Sequence, residues 1–93
     1  MKIGICKVEI FIPGVRSLKE KRGIIKSVMK RLQNRFNLSI SEVANHDSWQ
    51  KTTWGIAIIS TDAPHVHRTL ERVMQYLYRE RMVEVVDREI EIL

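Results

Sequence analysis

Between Arg16 and Arg35 the chain holds eight basic residues and one acid, Glu20. Cations at this density do one kind of chemistry well: they displace the counterions condensed on the phosphates of a polyanion. On a helix at 100° per residue, Lys19, Lys26 and Lys30 fall in one row, which Gln33 extends and Arg22 shoulders. Arg16, Lys19 and Lys21 crowd the start of that helix, where the macrodipole favours anions and disfavours cations. An RNA phosphate docked on the free N–H groups there would remove the conflict. The candidate nucleic-acid-binding residues are therefore Arg16, Lys19, Lys21, Arg22, Lys26 and Lys30. Lys21 also falls within the helix's apolar arc, so it is expected to project from the edge of the core toward the Pro13 to Ser17 loop. Lys-rich helix flanks are equally familiar as solvated surface, and a basic patch is a footprint of binding rather than a code for it.

A second group, Trp49, Gln50, Lys51 and Trp54, places aromatics beside a cation, a combination that can stack on unpaired bases. Its placement differs from an RNA-recognition sheet, which needs aromatics on two central strands where the first strand here offers only Phe11. Packing of the hairpin, or an interface contact, is the other reading of Trp49, Gln50 and Trp54.

Catalytic chemistry has thinner support. His46 and Asp47 adjoin, and Glu42 shares a face with His46 on a regular strand, which suits a general base or a pair of metal ligands but does not complete a metal site. His65 and His67 are two apart on a helix, unlike the i, i+4 spacing of zinc helices. Gly14-Val15-Arg16 faintly resembles an anion-cradling loop but lacks its glycine-rich pattern. Cys6 has no neighbour that would activate a thiolate and reads as a structural thiol. No cofactor and no metal is expected.

With 93 residues the chain fits one domain, 1–93. Its 44% apolar and 29% charged residues suit a globular protein. One cysteine excludes an internal disulfide and fits a reducing, cytoplasmic compartment. No apolar run approaches the roughly 18 residues of a membrane helix, and the N-terminal apolar run, broken by Lys7 and Glu9, lacks a cleavage signal. Outside the segment from Arg16 to Arg35 there are 8 basic and 10 acidic residues, five of the acids from Glu80 onward. The chain is electrically lopsided, a layout that biases encounters with polyanions.

These residues must be carried by a definite set of elements. Residues 2 to 12 alternate as a strand with Cys6, Val8, Ile10 and Ile12 on one face. Pro13-Gly14 breaks it, and Ser17-Leu18-Lys19-Glu20 is a capping box that starts a helix at about Leu18. Leu18, Ile25, Val28, Met29, Leu32 and Phe36 form its core arc, and Asn34 to Asn37 ends it. A second strand is expected over Leu38 to His46 and a third over Trp54 to Ser60. Thr61-Asp62-Ala63-Pro64 opens a second helix with core residues Val66, Leu70, Val73 and Leu77. The last strand, Val83 to Leu93, changes parity between Val85 and Ile90, which a bulge near Asp87 would explain. The order β-α-β-β-α-β predicts an α+β ferredoxin-like sandwich, a four-stranded antiparallel sheet with two helices on one face. If Trp54, Ile56 and Ile58 lie on the bare face, the exposed patch calls for a homodimer or another sheet-face partner.

The run RSLKEKRGIIKSVMKRLQNRFNLSISEV, followed by DSWQ and ending in REIEIL, resembles the YlxP-like family, small bacterial proteins of unknown function. Its most specific parts are Arg16 to Arg22, Arg35-Phe36-Asn37, Glu42-Val43 and Asp47 with Trp49-Gln50. The resemblance implies a ferredoxin-like fold and genes that often sit among translation factors, near that for ribosome-binding factor A, but no activity. The residues and the resemblance together predict a non-enzymatic protein that binds RNA or the ribosome. A homodimeric interaction domain using the sheet face is the alternative. A small hydrolase, built around Arg16 or around Glu42, His46 and Asp47, is the enzymatic one.

Overall fold

A computed structural model describes residues 1–93. The elements follow in the order β1 (Lys2–Phe11), α1 (Leu18–Arg35), β2 (Ser39–Ala44), β3 (Lys51–Ser60), α2 (Ala63–Arg79) and β4 (Glu84–Ile92). All pairings are antiparallel and the sheet order is β2-β3-β1-β4, the expected ferredoxin-like arrangement. Both helices begin where cap chemistry dictates. Ser17 Oγ accepts from the Glu20 N–H at 3.1 Å, and Asp62 Oδ1 accepts from the His65 N–H at 2.8 Å with Pro64 in the first turn. The parity change in β4 is a register shift that leaves Val86 unpaired opposite Glu9 and Ile10, beside the Asp87 position expected for it.

The core lies between the sheet and the helices. Cys6, Val8, Ile10 and Ile12 of the β1 side meet Val66, Leu70, Val73 and Leu77 of α2 and Ile25, Val28 and Leu32 of α1, all buried. Gly4 lets α2 approach closely, since a methyl built there would overlap Val66 Cγ1 and touch Leu70 Cδ1.

The third strand decides a question that its residues left open. It starts three residues earlier, at Lys51, and its register places Trp54 opposite Val8 and Ile56 opposite Cys6. Directly paired residues share a face, so Trp54, Ile56 and Ile58 point under the helices and are buried. The bare face carries the other parity: Ile5, Ala57 and Ile59 at its centre, with Val43 exposed on β2. Its β4 border is acidic, with Glu84, Asp87, Glu89 and Glu91 opposite Phe11, Glu9, Lys7 and Ile5.

Candidate nucleic-acid interface

The basic helix splits into one buried cation and a free row. Lys21 sits at 1% exposure, one turn before Ile25 on the face that meets the sheet. Its Nζ donates to the Asn45 carbonyl at 2.7 Å, lies 3.4 Å from that of His46, and pairs with Glu42 Oε2 at 3.2 Å. The same Glu42 oxygen accepts from Thr52 Oγ1 at 2.7 Å, and Thr52 Oγ1 accepts from Trp54 Nε1 at 2.8 Å. Lys21 is therefore removed from the set of phosphate-binding candidates, because an ammonium with three protein acceptors and no solvent path has no vacancy for a ligand. It points not to the Pro13 to Ser17 loop but to the β2–β3 turn. Trp54 leaves the set of stacking candidates for the same reason: its ring is fully buried and its N–H is bonded.

What the lysine does is structural positioning. It ties the first turn of α1 to the β2–β3 turn, whose Asn45 adopts a left-handed φ of 64°. That turn is also held on the sheet's other face, where Asn45 Nδ2 donates to Thr53 Oγ1 and Thr53 Oγ1 donates to Glu9 Oε2, at 2.8 and 2.7 Å. The Ile12 N–H donates to the Gln50 carbonyl at 2.7 Å, which brings the Pro13 to Ser17 loop beside the same turn. The sequence reading missed this network, because Glu42, Asn45 and Thr52 become neighbours of Lys21 only once the strands pair.

The remaining candidates are exposed: Arg16, Lys19, Arg22, Lys26 and Lys30. None has a carboxylate within ion-pair distance; the ion pairs of the molecule involve Lys7, Lys21, Arg31, His67 and Arg88 instead. Arg22, Lys26, Lys30 and Gln33 line one wall of an open groove between α1 and β2, with Glu42 among its lining residues. Glu42 adds little opposing charge, since Lys21 pairs with it and Thr52 bonds it. At the end of the molecule where α1 starts, Trp49 is 54% exposed, and Gln50 and Lys51 are exposed beside it. The fold thus gathers Arg16, Lys19, Trp49 and Gln50 at one end and runs the row Arg22, Lys26, Lys30 away from it.

The enzymatic candidates do not assemble. His46 is exposed with Nε2 3.2 Å from the Glu42 backbone carbonyl rather than its carboxylate, and no three His, Cys, Asp or Glu side chains are arranged to hold a metal ion. His67 faces Glu71 at 4.0 Å, and His65 is exposed apart from it. Gly14 takes a positive φ of 74°, and Val15 behind it is buried, so this turn is shaped by packing. Cys6 is fully buried with Sγ 4.0 Å from Met74 Sδ. Burial pushes its thiol up, against a smaller lowering by Arg88 and with a further rise from Glu71, the opposite of thiolate activation.

With this geometry established, comparison with known proteins decides the family. The family described as "Protein of unknown function (DUF503)" matches residues 3–90. The chain belongs to this family. It is similar to the "Uncharacterized protein YlxP" of Bacillus subtilis (strain 168), at 41% identity over 75 residues covering 81% of this chain and 82% of that one. Among solved structures it is similar to "De novo designed protein Foldit4", with a TM-score of 0.53 and 11% identity over 100% of this chain and 97% of that one. That likeness concerns the fold alone. No helix is long and apolar enough to cross a membrane.

Proposed function

We propose that this member of the family is a non-enzymatic, cytoplasmic module that binds structured RNA, ribosomal RNA or an assembling ribosome, through α1 and its N-terminal loop. The supporting observation is the set of five exposed, unpaired cations, Arg16, Lys19, Arg22, Lys26 and Lys30, of which Arg22, Lys26 and Lys30 line one groove. Their fields add because the one carboxylate in the groove that Arg22, Lys26 and Lys30 line, Glu42, is already paired with Lys21, and a row along one helix can follow a phosphate backbone. Trp49 at the head of the row offers a face to an unpaired base. The ribosomal part of the reading comes from the gene association that the sequence resemblance carries. Co-sedimentation with ribosomal subunits across a salt series tests it, with a steep loss of binding expected as salt rises.

A homodimeric interaction domain is the second reading, and a specific observation favours it. Val43, Ile59 and Val86 are each more than half exposed, and Val43 and Ile59 share the bare face with Ile5 and Ala57. Isolated apolar residues on a surface need no explanation, but Ile5, Ala57 and Ile59 adjoin one another across the paired strands β1 and β3. A mass of two chains by light scattering, falling to one in Ile59→Glu, supports this reading. A single-chain mass at micromolar concentration removes it.

A further inference from the structure

On the other flank of α1, away from the lysine row, the ends of the two helices frame a second and more strongly cationic feature. An open cleft of about 930 Å³ lies between the last turn of α1, the last turns of α2 and the α2–β4 turn. Arg35 enters it from α1, Arg72 and Arg79 from α2, and Arg81 from the turn. None of the four has a carboxylate partner. The one acid in the lining, Glu80, is occupied by Arg31 at 2.7 Å, a bond that holds the Arg31 guanidinium above its usual range.

Simple surface chemistry accounts for part of this. A cation near a helix C-terminus is favoured by the macrodipole, which covers Arg35 and Arg79 one by one. It does not cover Arg72, two turns back in α2, or Arg81, beyond the helix. One guanidinium is also held in place: Arg35 lies 5.5 Å from the centre of the Tyr76 ring, and Tyr76 is braced edge-on by Phe36 at 6.2 Å and 86°. An arginine fixed on an aromatic pair keeps its planar donors aimed, which lowers the ordering cost of binding.

We propose that this cleft binds a compact oligophosphate group. Four guanidiniums around one cavity match an anion that concentrates several charges and many acceptor oxygens in a small volume, and their forked N–H donors fit phosphate oxygens two at a time. The group could be that of a nucleoside polyphosphate or the 5′-terminal phosphates of an RNA chain; the chemistry is shared. The site uses none of the residues invoked for the α1 lysine row, so it stands or falls separately.

The test is a titration of the whole chain with tripolyphosphate at constant ionic strength, followed by calorimetry and by the arginine Nε–H signals in NMR spectra. Saturable binding is expected, with the shifts concentrated at Arg35, Arg72, Arg79 and Arg81. Arg72→Gln/Arg79→Gln, both exposed positions, should weaken it on the order of tenfold or more, while Lys2→Gln/Lys7→Gln, which removes the same charge elsewhere, leaves it unchanged. The shift map on the unmutated chain gives the answer even if a variant misfolds. Guanosine triphosphate, RNA with a 5′-triphosphate and the same RNA with a 5′-hydroxyl then identify the source, and preference for either triphosphate supports the site. Absence of saturation, or equal weakening by the two double variants, overturns it.

Discussion

Buried Lys21 and partly buried Glu42 form an ion pair, 3.2 Å from Nζ to Oε2, that joins the first turn of α1 to β2. Its position decides which cations of the helix remain available. Buried ionic groups are costly unless each donor and acceptor is answered, and breaking one partner leaves the other uncompensated. Here Asn45, Thr52 and Trp54 complete the set. Lys21→Met should therefore cost about 3 kcal/mol, read from urea unfolding. Lys21→Met/Glu42→Gln should recover part of that loss. A single-variant cost near zero would contradict the network.

Two features explain why this pair was hidden from the sequence while its surroundings were legible. Cap residues Ser17 and Asp62, the alternation of β1 and the parity slip in β4 are local signals, and each appears in the structure where the residues indicate. Lys21 has its carboxylate partner 21 positions away, so only strand pairing reveals it. Which face Trp54 takes was open for a related reason. Its strand is apolar at both parities, and only the register Val8 to Trp54 tells which parity faces the helices.

Gly4 has a packing role that a single methyl should expose. With Val66 Cγ1 inside the position a Cβ would take and Leu70 Cδ1 at 3.0 Å, Gly4→Ala should destabilise by about 1–3 kcal/mol. Thermal or urea unfolding checks it. Unchanged stability would show that α2 yields easily.

Cys6 gives a pH dependence with a definite sign. Burial raises its thiol pKa in the folded state, so as pH rises past about 8.5 the unfolded chain loses its thiol proton first. The unfolded state then binds fewer protons than the folded one, and stability falls with pH. The unmodified protein should lose stability relative to Cys6→Ala above that pH, with the gap constant below it. A stability difference between the two proteins that stays constant into alkali contradicts the burial account.

The two tryptophans should respond differently to RNA. Trp49 is exposed at the head of the basic row and Trp54 is sealed in the core. Adding single-stranded RNA should change the emission of Trp54→Phe, which retains Trp49, and leave that of Trp49→Phe unaffected. A change confined to Trp49→Phe would place the contact elsewhere.

The most direct measurement is ribosomal-subunit binding by Lys19→Glu/Lys26→Glu/Lys30→Glu across a salt series, beside the unmodified chain. If five cations meet phosphates, the unmodified protein should lose affinity with a logarithmic slope of roughly −4, and the variant should bind more weakly with a flatter slope while melting normally. Equal affinity of the two proteins at low salt would contradict the account.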